Sequence, residues 1–262
     1  MRTCDGRLVG EDRVMMRDWG WAERILHIDE DLLVVCKPSG IFTHPSPLSR
    51  ERQTLLSELR DFTGRWVYPL HRLDRPTSGV ALFTFSGEVA SLFGALFRER
   101  RLGKRYWAMV RGWPPAEGVV ERSLKTPETQ RMQEAETAFR TLARADWPVP
   151  LARYPGARFA LVEAEPRTGR WHQIRRHLRG IDHPVLSDAV HGDLRANHYV
   201  RDHLGVQRLL LHAAQITFID PRDGTERVFE APLEPDMAAL CARFNWPTKP
   251  VGRPSPDPSR PA

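Results

Sequence analysis

A chain of 262 residues that is 41% apolar and 9% aromatic can build one large domain or two small ones, which excludes a natively disordered protein. Its formal net charge of +6 and sequence pI of about 9.6 favour a polyanionic partner without naming it. Cys4, Cys36 and Cys241 are odd in number and far apart, which fits neither a disulfide framework nor a zinc pair and points to a reducing compartment.

The first twenty residues carry Asp5, Glu11, Asp12 and Asp18 and no apolar core, so they do not read as a signal peptide. Residues 1–23 as a whole are polar and unpatterned, an N-terminal extension. Ile25–Ile28 and Leu32–Val35 are short apolar runs separated by Asp29-Glu30-Asp31, the grammar of a hairpin. Lys37-Pro38-Ser39-Gly40 breaks the second strand, and a loop runs on to Gln53. Thr54 caps a helix through Phe62, with Leu55, Leu56, Leu59 and Phe62 at helical spacing. Val80–Phe85 reads as a buried strand. Ser86 caps a second helix whose stripe is Val89, Leu92, Phe93, Leu96 and Phe97.

A basic run follows, Arg98, Arg100, Arg101, Lys104 and Arg105. Lys104–Val110 is the next strand, ended by Gly112 and Pro114-Pro115. Val119–Leu124 and Ala135–Ala143 are further strands, and residues 146–156 form a proline-rich excursion. Arg158–Glu165 alternates as a strand. Arg167-Thr168-Gly169-Arg170 turns into a helix over about Trp171–Arg179, with Trp171, Ile174 and Leu178 on its core face. Leu209–Ile219 and Arg227–Glu230 are late strands, and Glu234–Phe244 a closing helix. The apolar runs, such as Leu32–Cys36 and Leu209–Leu211, are far too short to cross a bilayer. Many strands without regular βαβ alternation predict an α+β fold with a mostly antiparallel sheet. The organisation expected is an extension over 1–23, one domain over 24–246, and a Pro-rich disordered tail over 247–262.

Two constellations carry chemistry. His71-Arg72-Leu73-Asp74-Arg75-Pro76-Thr77-Ser78-Gly79 sets one carboxylate between two arginines on a tight loop before a rigid strand. A neighbouring arginine favours an ionised aspartate, suited to a nucleophile, a base or an electrostatic stabiliser; the plainer reading is a surface ion pair closing a turn. Arg170-Trp171-His172-Gln173-Ile174-Arg175-Arg176-His177-Leu178-Arg179 is strongly basic, with Arg175 and Arg179 four apart on one face. Clustered cations repel unless an anion is near, either a phosphate of a polyanionic partner or an aspartate such as Asp74; otherwise this is a solvated helix face. His191, His198 and His203 have no standard metal spacing, and no metal is expected.

His71-Arg72-Leu73-Asp74 with Thr77-Ser78-Gly79 resembles the signature of the RluA-type pseudouridine synthases, which isomerise uridine in RNA. Lys104-Arg105-Tyr106 resembles that family's second motif. Thr168-Gly169-Arg170 with His172-Gln173-Ile174-Arg175 and His177-Leu178 resembles its third, and Leu211-His212-Ala213 a further recurring piece. The similarity runs from about Ile25 to Trp246 with the motifs in the family's order. It implies a mixed, mostly antiparallel sheet flanked by helices, with a central RNA-binding cleft.

On this resemblance Asp74 is the catalytic carboxylate, Tyr106 flanks the flipped uracil, and Arg175 pairs with Asp74 and holds it ionised. Arg72 enters the RNA stack where the base leaves. Lys104, Arg170, His172 and Arg179 face the RNA. The reaction breaks N1–C1′, rotates the uracil and joins C5 to C1′. It is redox-neutral, so no cofactor is expected, and the sequence carries no Walker A or GxGxxG pattern. Flipping the base costs a few kcal/mol, and stacking on an aromatic returns about 1–3 kcal/mol. Whether Asp74 attacks sugar or base, or takes a sugar proton, stays open in the sequence.

The Pro-rich insertion around 147–154, His191-Gly192-Asp193-Leu194-Arg195-Ala196-Asn197 after His183-Pro184, and the Arg75-Pro76 spelling resemble a tRNA-acting branch of the family. That branch implies tRNA as partner and uridine 65 of the T-stem as target. A ribosomal or dual-specificity synthase and a non-catalytic RNA-binding or chaperone protein are the alternatives. A cytoplasmic monomer with no membrane association and no obligate protein partner completes the expectation.

Overall fold

Alternation and branched side chains build the sheet first. The computed structural model describes residues 18–45, 53–127, 129–148 and 155–249; the expectations for 1–17, 149–154 and the tail from 250 lie outside them. A one-turn helix α1 (Trp21–Arg24) leads into β1 (Ile25–Ile28) and β2 (Leu32–Lys37), the antiparallel hairpin read from the acidic turn. Trp21 is buried, so residues 18–23 differ from the loose extension expected: two tryptophans, Trp19 and Trp21, give this end an apolar anchor. Helix α2 (Leu55–Thr63) begins at Thr54, whose hydroxyl accepts the Ser57 N–H while Ser57 returns to the Thr54 N–H. It is followed by β3 (Tyr68–Pro69) and the wholly buried β4 (Ser78–Thr84).

Helix α3 (Gly87–Arg98) is capped by Ser86 as expected. It buries Phe93 and Leu96, whereas Leu92 is exposed because the helix rests on one face only. Then come β5 (Leu102–Arg111), β6 (Glu117–Glu121), the small ladder of β7 (Leu124–Lys125) and β8 (Met132–Gln133), and the long hairpin β9 (Glu136–Trp147) and β10 (Ala157–Pro166). Helix α4 (Gln173–Gly180), helix α5 (Leu194–Leu204), β11 (Leu211–Ile219), β12 (Glu226–Glu230) and helix α6 (Pro235–Arg243) complete the chain. Helix α5 was not anticipated, although Asp193 caps it through the Ala196 N–H and Gly205 ends it in the left-handed conformation.

The main sheet runs β1-β2-β4-β11-β5-β10-β9-β6, with β3 also on β4 and β12 also on β11. Its pairings are antiparallel except β4 with β11. This is the α+β mixed sheet expected. Helices cover both faces. Leu161 and Phe159 pack toward α5 and α6, while Ala160 and Val162 pack toward α4, so β10 is buried on both sides despite its alternating look.

Register positions the site. Lys37 pairs with Gly79, Gly79 with Ala213, and Ala213 with Tyr106, one row across β2, β4, β11 and β5. Gly79 has φ of 114°, and a Cβ there would lie 2.2 Å from the Ala213 carbonyl oxygen, so only glycine lets these strands approach. Tyr106 lies between the apolar cluster around Ile174 and Leu178 and the one around Leu59 and Leu73. The gap between those clusters is the cleft.

Candidate active site

The 71–78 loop ends where β4 begins, and buried donors hold it from beneath. Lys37, fully buried, donates through Nζ to the carbonyls of Pro38 (3.0 Å), Asp74 (3.3 Å), Arg75 (3.1 Å) and Thr77 (2.8 Å). Burial pulls its ammonium down to about 7, against the raising effect of the Asp74 charge. Thr43 Oγ1 accepts the Leu73 N–H and donates to the Leu73 carbonyl, and the Gly40 N–H reaches the Arg75 carbonyl at 2.8 Å. Buried Ser78 and His212 share a 2.9 Å hydrogen bond, which gives Leu211-His212-Ala213 a structural duty. His71 accepts the Leu82 N–H at Nε2 and stacks on Phe97, and burial takes it down to about 4, so it is a neutral support.

This loop turns the Asp74 carboxylate into a cavity of about 280 Å3 whose lining includes Tyr106, Lys104, Arg72, Arg170, His172 and Arg175. Arg175 Nη1 donates to Asp74 Oδ2 at 2.9 Å. The same guanidinium grips Asp188 through Nε at 2.7 Å and Nη2 at 2.8 Å. Burial works against the Arg175 charge, but the bonds to Asp188 and Asp74 outweigh it and raise its pKa. Burial likewise opposes the Asp188 charge, and Arg175 with the His191 and Val190 N–H groups holds that carboxyl below its usual range. The result is a buried carboxylate–arginine–carboxylate line whose outer member opens on the cavity. Burial and the nearby Asp74 charge raise the Tyr106 pKa, so it is a neutral phenol at physiological pH.

The third motif departs from the helix expected. Helix α4 starts at Gln173, because His172 is left-handed at φ 52° and serves as N-cap. Trp171 therefore precedes the helix and is 42% exposed rather than core, its ring stacked 3.8 Å from that of His172. His172 Nδ1 and His191 Nε2 lie 2.9 Å apart, and His172 Nε2 is 3.7 Å from Asp74 Oδ2. Burial brings His172 down to about 4, so its approach to Asp74 is that of a neutral ring. Gln173, buried, bonds Thr168, the Arg170 N–H and the Glu136 carbonyl, and locks the turn to β9.

Of the residues singled out in the sequence, Asp74, Tyr106, Arg175, Arg72, Lys104, Arg170 and His172 surround one cavity. Arg179 does not join them: it is exposed, with Nη1 3.4 Å from the Gly192 carbonyl. Arg175 and Arg179 were expected to share a face, but Arg175 is drawn into the core by its two carboxylates. Asp188 was missed, since nothing local in Leu186-Ser187-Asp188 marks a residue that meets Arg175 in space. Lys37 was read only as the end of a strand, although a lysine before Pro38 at the close of an apolar run was the available signal. Among the described residues no three His, Cys, Asp or Glu side chains converge as a metal site, and no helix is long and apolar enough to cross a membrane.

An aspartate, an arginine clamp and a tyrosine thus face one basic cleft. The family model for RNA pseudouridylate synthase matches residues 31–179, which include both the Asp74 loop and α4. The chain is 40% identical over 233 residues to "tRNA pseudouridine synthase C" of Vibrio parahaemolyticus, covering 85% of this chain and 95% of that protein. It is also 40% identical to the protein of the same name from Pasteurella multocida, covering 85% and 96%. The solved structure of human RNA pseudouridylate synthase domain containing 4 superposes with a TM-score of 0.68 at 24% identity, covering 88% of this chain and 96% of that one, a likeness of fold. The chain belongs to the RNA pseudouridylate synthase family, of the RluA type, and is an RNA pseudouridine synthase.

Proposed function

We propose that the substrate is tRNA, that the target is uridine 65 in the T-stem, and that Asp74 is the group that acts at the glycosidic bond. The observation that carries this reading is the Arg175–Asp74 contact of 2.9 Å at a cavity walled by Tyr106. Relatives 40% identical over 85% of this chain are named for tRNA, which supports the substrate class. The target uridine leaves its stem, at a cost of a few kcal/mol, and enters the cavity. Tyr106, neutral, lies against the uracil and restores part of the lost stacking. Arg175 orients the Asp74 carboxylate beside C1′, and the loop bonds from Lys37 and Thr43 keep it there. Arg72, exposed at the rim, fills the place of the departed base. Lys104, Arg170 and His172 complete the RNA-facing wall. The enzyme works in the cytoplasm as a monomer, with no cofactor drawn into the isomerisation.

Incubation of the purified protein with unmodified total tRNA and, separately, with ribosomal RNA, followed by single-nucleotide mapping of pseudouridine, tests this. The expected product is one new site in the tRNA T-stem. Sites confined to ribosomal RNA would overturn the substrate, and new tRNA sites outside the T-stem would overturn the position.

A further inference from the structure

A second and larger hollow, about 450 Å3, opens beside the Asp74 cavity and shares Arg72, Lys104, Tyr106 and the 168–170 turn with it. It lies between the end of α3 and the 167–170 turn, and its other cations are Arg98, Arg100 and Arg167. No carboxylate lines it among the described residues. Of the acids close by, Glu99 pairs with Arg101 at 2.8 Å, and Glu136 is bonded to Arg167, which also lines the hollow and is thereby neutralised. Lys104 is partly buried, and its ammonium reaches only the Thr168 carbonyl, at 3.4 Å. Burial and the nearby Arg100 charge bring it down to about 8. Arg98, Arg100 and Lys104 have no carboxylate partner among the described residues, and like charges gathered without a counter-charge are unfavourable unless an anion completes them.

The backbone at Arg100 adds a second, independent observation. The Arg101 N–H bonds the Leu96 carbonyl at 2.9 Å and the Arg100 N–H bonds the Phe97 carbonyl at 3.4 Å. This is a Schellman ending to α3, and Arg100 occupies its left-handed position at φ 57°. Glycine is the residue that satisfies such a position without strain. An arginine here accepts that strain and stays exposed at the hollow. Backbone strain kept in this way points to use of the side chain.

We propose that this hollow is a phosphate-binding subsite that holds the RNA backbone next to the flipped nucleotide, with Arg100 and Lys104 as its principal cations and Arg98 at its mouth. It rests on the reading of the Asp74 cavity as the place where the flipped uridine sits. Because the two hollows share a wall, a phosphate here belongs to a nucleotide adjoining the target rather than to a distant part of the RNA.

The test is the salt dependence of binding to an unmodified tRNA transcript for wild type, Arg98→Ala, Arg100→Gly and, as a control on α5, Arg201→Ala. Each lost phosphate contact makes the slope of log K against log salt shallower by about 0.7–0.9, the range between single strands and B-form duplex. Arg98→Ala and Arg100→Gly are expected to lose that much each and to raise KM, while Arg201→Ala keeps the wild-type slope. Arg100→Gly is also expected to melt no lower than wild type, since glycine suits the left-handed position, so weaker binding in this variant is not a folding defect. Wild-type slopes in both Arg98→Ala and Arg100→Gly would overturn the subsite. Wild-type enzyme that forms no pseudouridine on the transcript would instead overturn the underlying reading of the cavity, and the two failures are read separately.

Discussion

The two walls of the Asp74 cavity are built on opposite plans. The 71–78 loop is tied from inside: four carbonyls to Lys37, two bonds from Leu73 to Thr43, Ser78 to His212, and Gly79 pressed on Ala213. The opposite turn at 170–172 presents an exposed Trp171 and a left-handed His172 with no side-chain cap, held mainly by ring stacking and by Gln173. The contrast separates tasks. The Asp74 carboxylate, proposed to act at a single bond, is fixed through buried backbone bonds. A wall that meets a whole RNA is made of exposed rings and cations.

Breaking the fixed wall should therefore cost more than trimming the open one. The largest effect is expected from Asp188→Asn, which leaves the buried Arg175 guanidinium with one partner fewer. Loss of one member of a buried ion pair destabilises by about 3–5 kcal/mol, read as a lowered denaturation midpoint. The resulting misplacement of Arg175 and Asp74 should lower kcat about 100-fold. Next comes Lys37→Met, which removes the donor to Pro38, Asp74, Arg75 and Thr77. The Arg75 and Asp74 carbonyls keep the Gly40 and Thr77 N–H groups, while a carbonyl left buried without a partner costs about 1–3 kcal/mol. Thermal unfolding should show the loss, and kcat should fall with it because the loop carries Asp74.

A separate effect is a pH trend. His71, His172 and His212 are each held near 4 by burial, against the usual 6.5 of a free histidine. Between those values the unfolded chain binds protons that the folded chain does not, so stability is complete above about pH 6.5 and is lost progressively as pH falls toward 4. Urea titrations across that range should show the midpoint falling with acid; a flat profile would show that these rings are not kept neutral by the fold.

Much of this fold was legible. The Asp29–Asp31 turn, the Thr54 and Ser86 caps and the Val80–Phe85 run declare themselves locally, and each forms the element expected. Asp74, Tyr106 and Arg175 were readable as a set because their motifs are long. What was hidden depends on distant partners. Asp188 meets Arg175 only once α4 packs beside the 187–191 turn. Trp171 looked like core because helical spacing was extended two residues too far, past a left-handed His172. Helix α5 was passed over because its apolar side, Ala196, Tyr199, Val200 and Leu204, is interrupted by histidines and arginines. Arg100 carried no local mark of its left-handed backbone.

The central claim is that the Asp74 carboxylate, clamped by Arg175, performs the isomerisation rather than merely shaping an RNA-binding face. Single-turnover pseudouridine formation by Asp74→Asn on an unmodified tRNA transcript, with the Kd for the same transcript measured in parallel, tests it most directly. The account predicts that product formation falls at least about 1,000-fold while Kd stays within a few-fold of wild type. Wild-type turnover by Asp74→Asn would contradict it.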